Sequence, residues 1–153
     1  MYVFFMRHGE AVTQAESDAA RSLTEAGRED VGATIKRSMQ EPVFADAIDE
    51  IWCSHYVRAQ QSAEIVSSLI NKPVITKEGL SPTDNPDNLL QEIRDAEKTI
   101  LVVSHQPLLG TLVDRFAGLE TGRYRMGTSA LAAIESELVA YGCGELKWLH
   151  QPS

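Results

Sequence analysis

The chain has 153 residues, 43 % of them hydrophobic and 24 % charged, with a formal net charge of −8. That is the make-up of an ordinary soluble globular protein, and the length suits one domain over residues 1–153 that buries roughly two thirds of its unfolded surface. The acidic balance argues against nucleic acid or an anionic membrane as a general partner, since both require a basic face.

Apolar runs alternate with helical patterns, which predicts an α/β fold of three layers, α/β/α, around a mostly parallel central sheet. Val3 to Met6 is the first strand, with the pattern of a fully buried one. A helix opens at Leu23-Thr24-Glu25-Ala26-Gly27, with Thr24 as N-cap and Glu25 favourable in the first turn. Val31, Ile35 and Met39 recur at i, i+4 and i+8 and are expected on its core face, and Pro42 marks its end. Glu50 to Cys53 is a second strand, followed by a helix over about Val57 to Ile70. Pro73 to Thr76 is expected at an edge, because proline cannot donate to a central ladder. Asn85-Pro86 starts a helix whose core face carries Leu89, Leu90 and Ile93. Thr99 to Val103 is the clearest strand, and Pro107 opens a helix through about Ala117. Ser129 to Ile134 and Leu146 to His150 are expected as a closing pair of strands around Gly142-Cys143-Gly144.

Cys53 and Cys143 form no CxxC pair and no metal-ligand spacing, and without a secretory signal a disulfide between them is not expected. The N-terminal apolar run is too short for a signal h-region, and no stretch approaches the roughly 18 apolar residues of a membrane span. A reduced, cytoplasmic protein is expected.

Three segments carry the chemistry. Arg7-His8-Gly9 directly follows the apolar run Tyr2-Val3-Phe4-Phe5-Met6. Such a tripeptide alone turns up by chance in about one chain in a hundred, so its weight comes from two later segments of similar design. Ser54-His55-Tyr56-Val57-Arg58-Ala59-Gln60-Gln61 follows the second strand, and Ser104-His105-Gln106-Pro107 follows Ile100 to Val103. In parallel sheets ligands bind beyond the carboxyl ends of the strands, often against helix N-termini. Three strand ends that each deliver an imidazole or a guanidinium therefore describe a phosphate site. His8 is placed as a nucleophile toward phosphorus, with Gly9 letting the backbone turn behind it. Arg7 and Arg58 clamp phosphate oxygens, His105 hydrogen-bonds the transferring group, and backbone N–H groups near Gln106 add donors. Phosphoryl transfer needs positioning and charge neutralisation more than covalent help. Two guanidiniums and a second imidazole supply both, so no cofactor and no metal are expected, and no HxH, HExxH or Cys-His spacing exists.

At these residues the chain resembles the histidine phosphatase superfamily, which includes the cofactor-dependent phosphoglycerate mutases. The resemblance runs through Arg7-His8-Gly9, Leu23 to Gly27, Ser54 to Gln61 and Ser104-His105. It implies a phosphoglycerate mutase-like fold and a phosphorylated intermediate at His8, with Arg7, Arg58 and His105 completing the pocket. The short chain, the segment Ser17 to Thr24 and the run Ser104 to Gly110 are similar to SixA-type phosphohistidine phosphatases. The implied substrate is a histidine-phosphorylated signalling or phosphotransfer protein. Ester-cleaving relatives use a carboxylic acid after the third strand to protonate the leaving alkoxide. Glu78 and Asp84 are the carboxylates available there, in no motif of their own.

Other readings stand beside these. The same fold could serve a small-molecule phosphomonoesterase, with Glu78 or Asp84 as general acid, or a module that binds phosphohistidine without turnover. Glu10 either orients a neighbour of the tripeptide or is an exposed loop carboxylate. Gly122 to Gly127, with Arg123 and Arg125, is either a solvated connector or a lip of the pocket that receives an acidic phosphoprotein. His55 and His150 support no catalytic claim.

Overall fold

The structure is a computed structural model that describes residues 1–153 except Thr121 and residues 123–125. Six strands, β1 (Tyr2–Arg7), β2 (Glu50–Cys53), β3 (Val74–Thr76), β4 (Ile100–Ser104), β5 (Leu131–Ser136) and β6 (Gly144–His150), form one sheet. The order is β3-β2-β4-β1-β5-β6. β3, β2, β4 and β1 run parallel, whereas β5 and β6 add antiparallel at one edge. The expected α/β/α architecture is thus observed, with β3 at the opposite edge, where Pro73 is tolerated.

Strand alternation sends side chains to two cores. Phe4, Met6, Leu101 and Val103 face one side, where they meet Val31 and Ile35 of α1 (Glu25–Ser38) and Ala59, Ala63 and Val66 of α2 (Val57–Ile70). Val3, Phe5, Ile100 and Val102 face the other. There they meet Leu89, Leu90 and Ile93 of α3 (Pro86–Ala96) and Leu109, Leu112 and Phe116 of α4 (Leu108–Phe116). Each such Val, Leu, Ile, Phe or Met side chain withdrawn from water contributes about 1.5–3 kcal/mol before chain entropy is charged against it.

Local signals set the helix starts. Thr24 Oγ1 accepts from Gly27 N at 2.9 Å, and Asn85 Oδ1 accepts from Asp87 N at 2.9 Å with Pro86 in the first turn. Met39 departs from expectation: it is the C-cap of α1 and 43 % exposed, while Ser38 is buried. Eight residues from Val31 rotate about 80° off its face at 100° per residue, whereas seven rotate only about 20°. Gly144 also departs, beginning β6 rather than turning before it, with a Cβ's space there taken by Ile134 and Phe116 at 2.6 Å. Cys53 is buried and Cys143 exposed, both free. Among the described residues no helix is long and apolar enough to cross a membrane.

Candidate active site

Register assembles the site. β1 and β4 pair with Arg7 opposite Ser104, and β2 and β4 pair with Cys53 opposite Val103. The residues that follow, His8, Ser54 and His105, therefore leave the sheet side by side although up to 97 positions separate them in sequence. The His8 and His105 rings lie 5.0 Å apart between centroids. Arg58 reaches them from the first turn of α2, Nε donating to His8 Nε2 at 3.3 Å.

His8 is 6 % exposed and held from several sides. Its N–H donates to Ser104 O at 3.1 Å, and its carbonyl accepts from Ser129 N at 3.0 Å. Nδ1 lies 2.7 Å from Gly9 O, and a carbonyl can only accept, so Nδ1 carries the proton. Nε2 is unprotonated, the state a nucleophile needs, and its lone pair accepts the Arg58 Nε–H bond. Burial first, then the charges of Arg58, Arg7 and Arg21, outweigh the Gly9 bond and hold the His8 pKa down to about 4. Desolvation is a larger cause of the neutral ring than the neighbouring charges.

Gly9 has a steric role beyond turning the chain. A Cβ there would lie 2.8 Å from Gly27 O and 2.9 Å from Val31 Cγ2, and a Cβ on Gly27 would lie 2.2 Å from Glu10 O. Two glycines thus let the His8 loop press onto α1. Ser62 Oγ accepts from Gly9 N at 3.0 Å and donates to Arg58 O at 2.8 Å, tying the loop to α2. Glu10 is an exposed loop carboxylate, the second of its two readings, and accepts from Thr24 Oγ1 at 2.9 Å.

Arg58 is 5 % exposed, and its fork is engaged on Asp18: NH1 donates to the backbone carbonyl at 2.7 Å and NH2 to Oδ2 at 3.2 Å. Arg21 donates to the other carboxylate oxygen at 2.9 Å, and Arg21, then Arg58, hold the Asp18 carboxyl below its ordinary range against the opposing effect of burial. Asp18 sits in a short 3-10 turn, Asp18–Ala20, that sequence reading missed. Arg7 NH1 donates to Met126 O at 3.1 Å.

Gln106 spends its side chain inside the protein, donating to Met126 O at 3.4 Å and accepting from Gly110 N at 2.7 Å. Any part it plays toward a ligand falls to its backbone N–H. Glu78 lines a groove with Gly79 and with Asn88, Gln91, Glu92 and Asp95 of α3, and Asp84 accepts from Ser81 N at 2.8 Å within its own turn. Among the described residues neither is hydrogen-bonded to His8, Arg7, Arg58 or His105. Arg123 and Arg125 lie outside the described residues. His150 pairs with Glu41 at 2.8 Å.

Among the described residues, Arg7 Nε, His105 Nδ1 and Ser129 Oγ are buried with no hydrogen-bond partner. All three belong to residues around His8, and buried donors of this kind are what a bound oxyanion satisfies. Ser129 also adopts φ 65°, a left-handed conformation uncommon outside glycine, which a functional site tolerates where packing enforces it. Ser129 carries no sequence motif that marks it. Among the described residues no group of three or more His, Cys, Asp and Glu side chains is arranged to hold a metal ion.

A family model for the histidine phosphatase superfamily, branch 1, matches residues 3–87, more than half of the chain. The chain belongs to that superfamily. The match takes in Arg7, His8 and Arg58, and His105 lies beyond it. Two relatives extend the likeness. Phosphohistidine phosphatase SixA of Escherichia coli K12 is 31 % identical over 99 % of this chain and 94 % of its own. A phosphohistidine phosphatase SixA homolog of Haemophilus influenzae is 33 % identical over 77 % of this chain and 78 % of its own. Among solved structures, the protein histidine phosphatase SixA complexed with tungstate superposes with a TM-score of 0.86 and 29 % identity. It covers 99 % of this chain and 97 % of that one.

Proposed function

We propose that residues 1–153 are a single histidine phosphatase domain that acts as a metal-independent phosphohistidine phosphatase. It takes the phosphoryl group from a histidine-phosphorylated signalling or phosphotransfer protein, in the cytoplasm, through a phosphorylated His8. The observation that carries this reading is the state of His8: a buried neutral ring, proton on Nδ1 against Gly9 O, and Nε2 facing the Arg58 guanidinium.

Two transfers follow. In the first, the Nε2 lone pair bonds to phosphorus as the substrate's P–N bond breaks. A phosphoimidazole protonated on its remote nitrogen leaves as a neutral imidazole, so no acid need reach the leaving nitrogen. His8 becomes cationic, and its Nδ1–H···O=C bond to Gly9 strengthens as that charge develops. In the second, water attacks phosphorus, its proton passes to a phosphate oxygen, and the electron pair returns to Nε2. Arg7, Arg58 and the His105 N–H spread the charge of the transferring oxygens in both steps.

An alkoxide leaves far less readily and needs a proton. Glu78 faces α3 and Asp84 closes its own turn, surroundings that favour P–N over ester cleavage. Substrate choice can be tested by comparing rates, in EDTA, on a histidine-phosphorylated carrier protein and on p-nitrophenyl phosphate. Faster turnover of the carrier is expected. Efficient ester cleavage with an inert carrier points to the small-molecule phosphomonoesterase, and binding without release points to a phosphohistidine-binding module.

A further inference from the structure

We propose that Ser54 is a positioning residue that holds His105 in its Nδ1–H tautomer, so that the ring presents an N–H donor to the phosphoryl group at His8. The proposal rests on the phosphoryl-transfer reading above for its purpose, and on the hydrogen-bond geometry for its substance.

Ser54 Oγ and His105 Nε2 lie 2.6 Å apart, with Ser54 fully buried and His105 1 % exposed. Either atom could in principle donate. The rest of the environment decides. Ser54 Oγ already accepts a long bond of 3.4 Å from Tyr56 N, and among the described residues its own proton has no other acceptor than Nε2. If Nε2–H donated instead, the Ser54 hydroxyl proton and the Nδ1 lone pair would both be buried without a partner among the described residues, against the Nδ1–H alone in the other tautomer, and each such group carries a desolvation penalty. The hydroxyl therefore donates, Nε2 accepts, and in a neutral ring the proton must sit on Nδ1.

Neutrality is secured separately. Burial, then the charges of His8 and Arg58, hold the His105 pKa down to about 3 despite the opposing charge of Asp18. Nδ1 is the atom found buried without a partner, so its N–H is available to an oxyanion. Tyr56 packs edge-on at 4.6 Å between ring centroids, so the ring is fixed in plane as well as in tautomer. A lone pair at Nδ1 would repel a phosphoryl oxygen, so the tautomer decides whether His105 attracts or opposes the substrate. The register explains how a serine reaches this place: with Cys53 opposite Val103, Ser54 leaves the sheet one strand away from the β4 end that carries His105.

The test uses the whole protein labelled with 15N-histidine, with long-range 15N–1H correlation to read the tautomer and calorimetry with tungstate to read oxyanion affinity. The wild type is expected to show His105 protonated on Nδ1. Ser54→Ala is expected to shift the ring toward Nε2–H and to weaken tungstate about tenfold, the worth of one donor to a charged group. Ser54→Thr, which keeps the hydroxyl, is expected to restore the Nδ1–H pattern. In a His105→Ala background, Ser54→Ala is expected to change tungstate affinity by less than about twofold, as two residues acting through one bond should. Wild-type spectra with the proton on Nε2 overturn the proposal. So does a folded Ser54→Ala variant that keeps both the Nδ1–H pattern and wild-type affinity. A wild type with the Nδ1–H tautomer that binds no tungstate supports the hold of Ser54 on the ring and overturns the phosphoryl-site reading instead.

Discussion

Acidification from pH 7 to 5 should destabilise this protein through its two site histidines. In the unfolded chain a histidine titrates near 6.5, whereas burial and cationic neighbours hold His8 at about 4 and His105 at about 3 in the native state. Between those values the unfolded chain binds the extra proton, so stability rises with pH through the window and is lost as pH falls from 6.5 toward 4. At about 1.4 kcal/mol per pH unit, the descent from pH 7 to 5 removes about 2 kcal/mol for each ring. Below the native pKa both states are protonated and the loss levels off. With a urea dependence of about 2 kcal/mol per molar, each ring should lower the midpoint by about 1 M over that interval. The assay is urea unfolding at pH 7, 6 and 5 on the wild type and on His8→Asn, His105→Asn and the double variant. Asparagine removes the titration, so the double variant should lose about 4 kcal/mol less than the wild type between pH 7 and 5. His55 and His150 are common to every variant and cancel in the comparison. Equal losses in the wild type and the double variant would show that neither ring is held neutral by the fold, and the assignment of an unprotonated Nε2 to His8 would fall with it.

Four further outcomes can be tested, three from the site's geometry and the last from sequence alone. His8→Asn should abolish turnover while tungstate still binds, because Arg7, Arg58 and His105 remain; measurable phosphate release from that variant would remove His8 from the nucleophile's role. Arg58→Lys should lower kcat/KM about 10²–10³-fold, since one ammonium cannot span His8 Nε2 and both Asp18 oxygens, and a near wild-type rate would refute the clamp. Gly27→Ala gains about 1 kcal/mol of helix propensity but sets a Cβ 2.2 Å from Glu10 O, so a net loss of roughly 2 kcal/mol and a slower enzyme are expected. A raised midpoint in urea would show that the loop yields freely. Arg123→Ala with Arg125→Ala should raise KM for a phosphorylated carrier protein and leave p-nitrophenyl phosphate nearly unchanged; equal effects on both would make that loop a plain connector.

Much of the fold was legible because its causes are local. The bounds of β2 and α2, the N-cap Thr24, the helix start at Asn85-Pro86, and the edge placement of the strand after Pro73 follow from side-chain period, a capping oxygen, proline's fitness for a first turn and a missing N–H. Met39 shows how far such reasoning reaches, since an i+8 repeat already drifts off the buried face that Ser38 keeps. The convergence of Arg7, His8, Arg58 and His105 was legible for a related reason: parallel strands deliver their carboxyl ends to one side, so three turns that follow them come together.

What tertiary structure alone decided are the contacts that give those residues their state. Ser54 on His105, Asp18 on Arg58, Ser62 on Gly9 and Ser129 on His8 join positions 40 to 121 apart. A serine or aspartate bears no local mark of the partner it will meet, and its hydrogen bond exists only once strand register and helix packing bring the two together. Composition and period therefore determined which groups come together at the strand ends. Burial and register determined that both imidazoles are neutral, which nitrogen of His8 carries the lone pair, and which way each donor points.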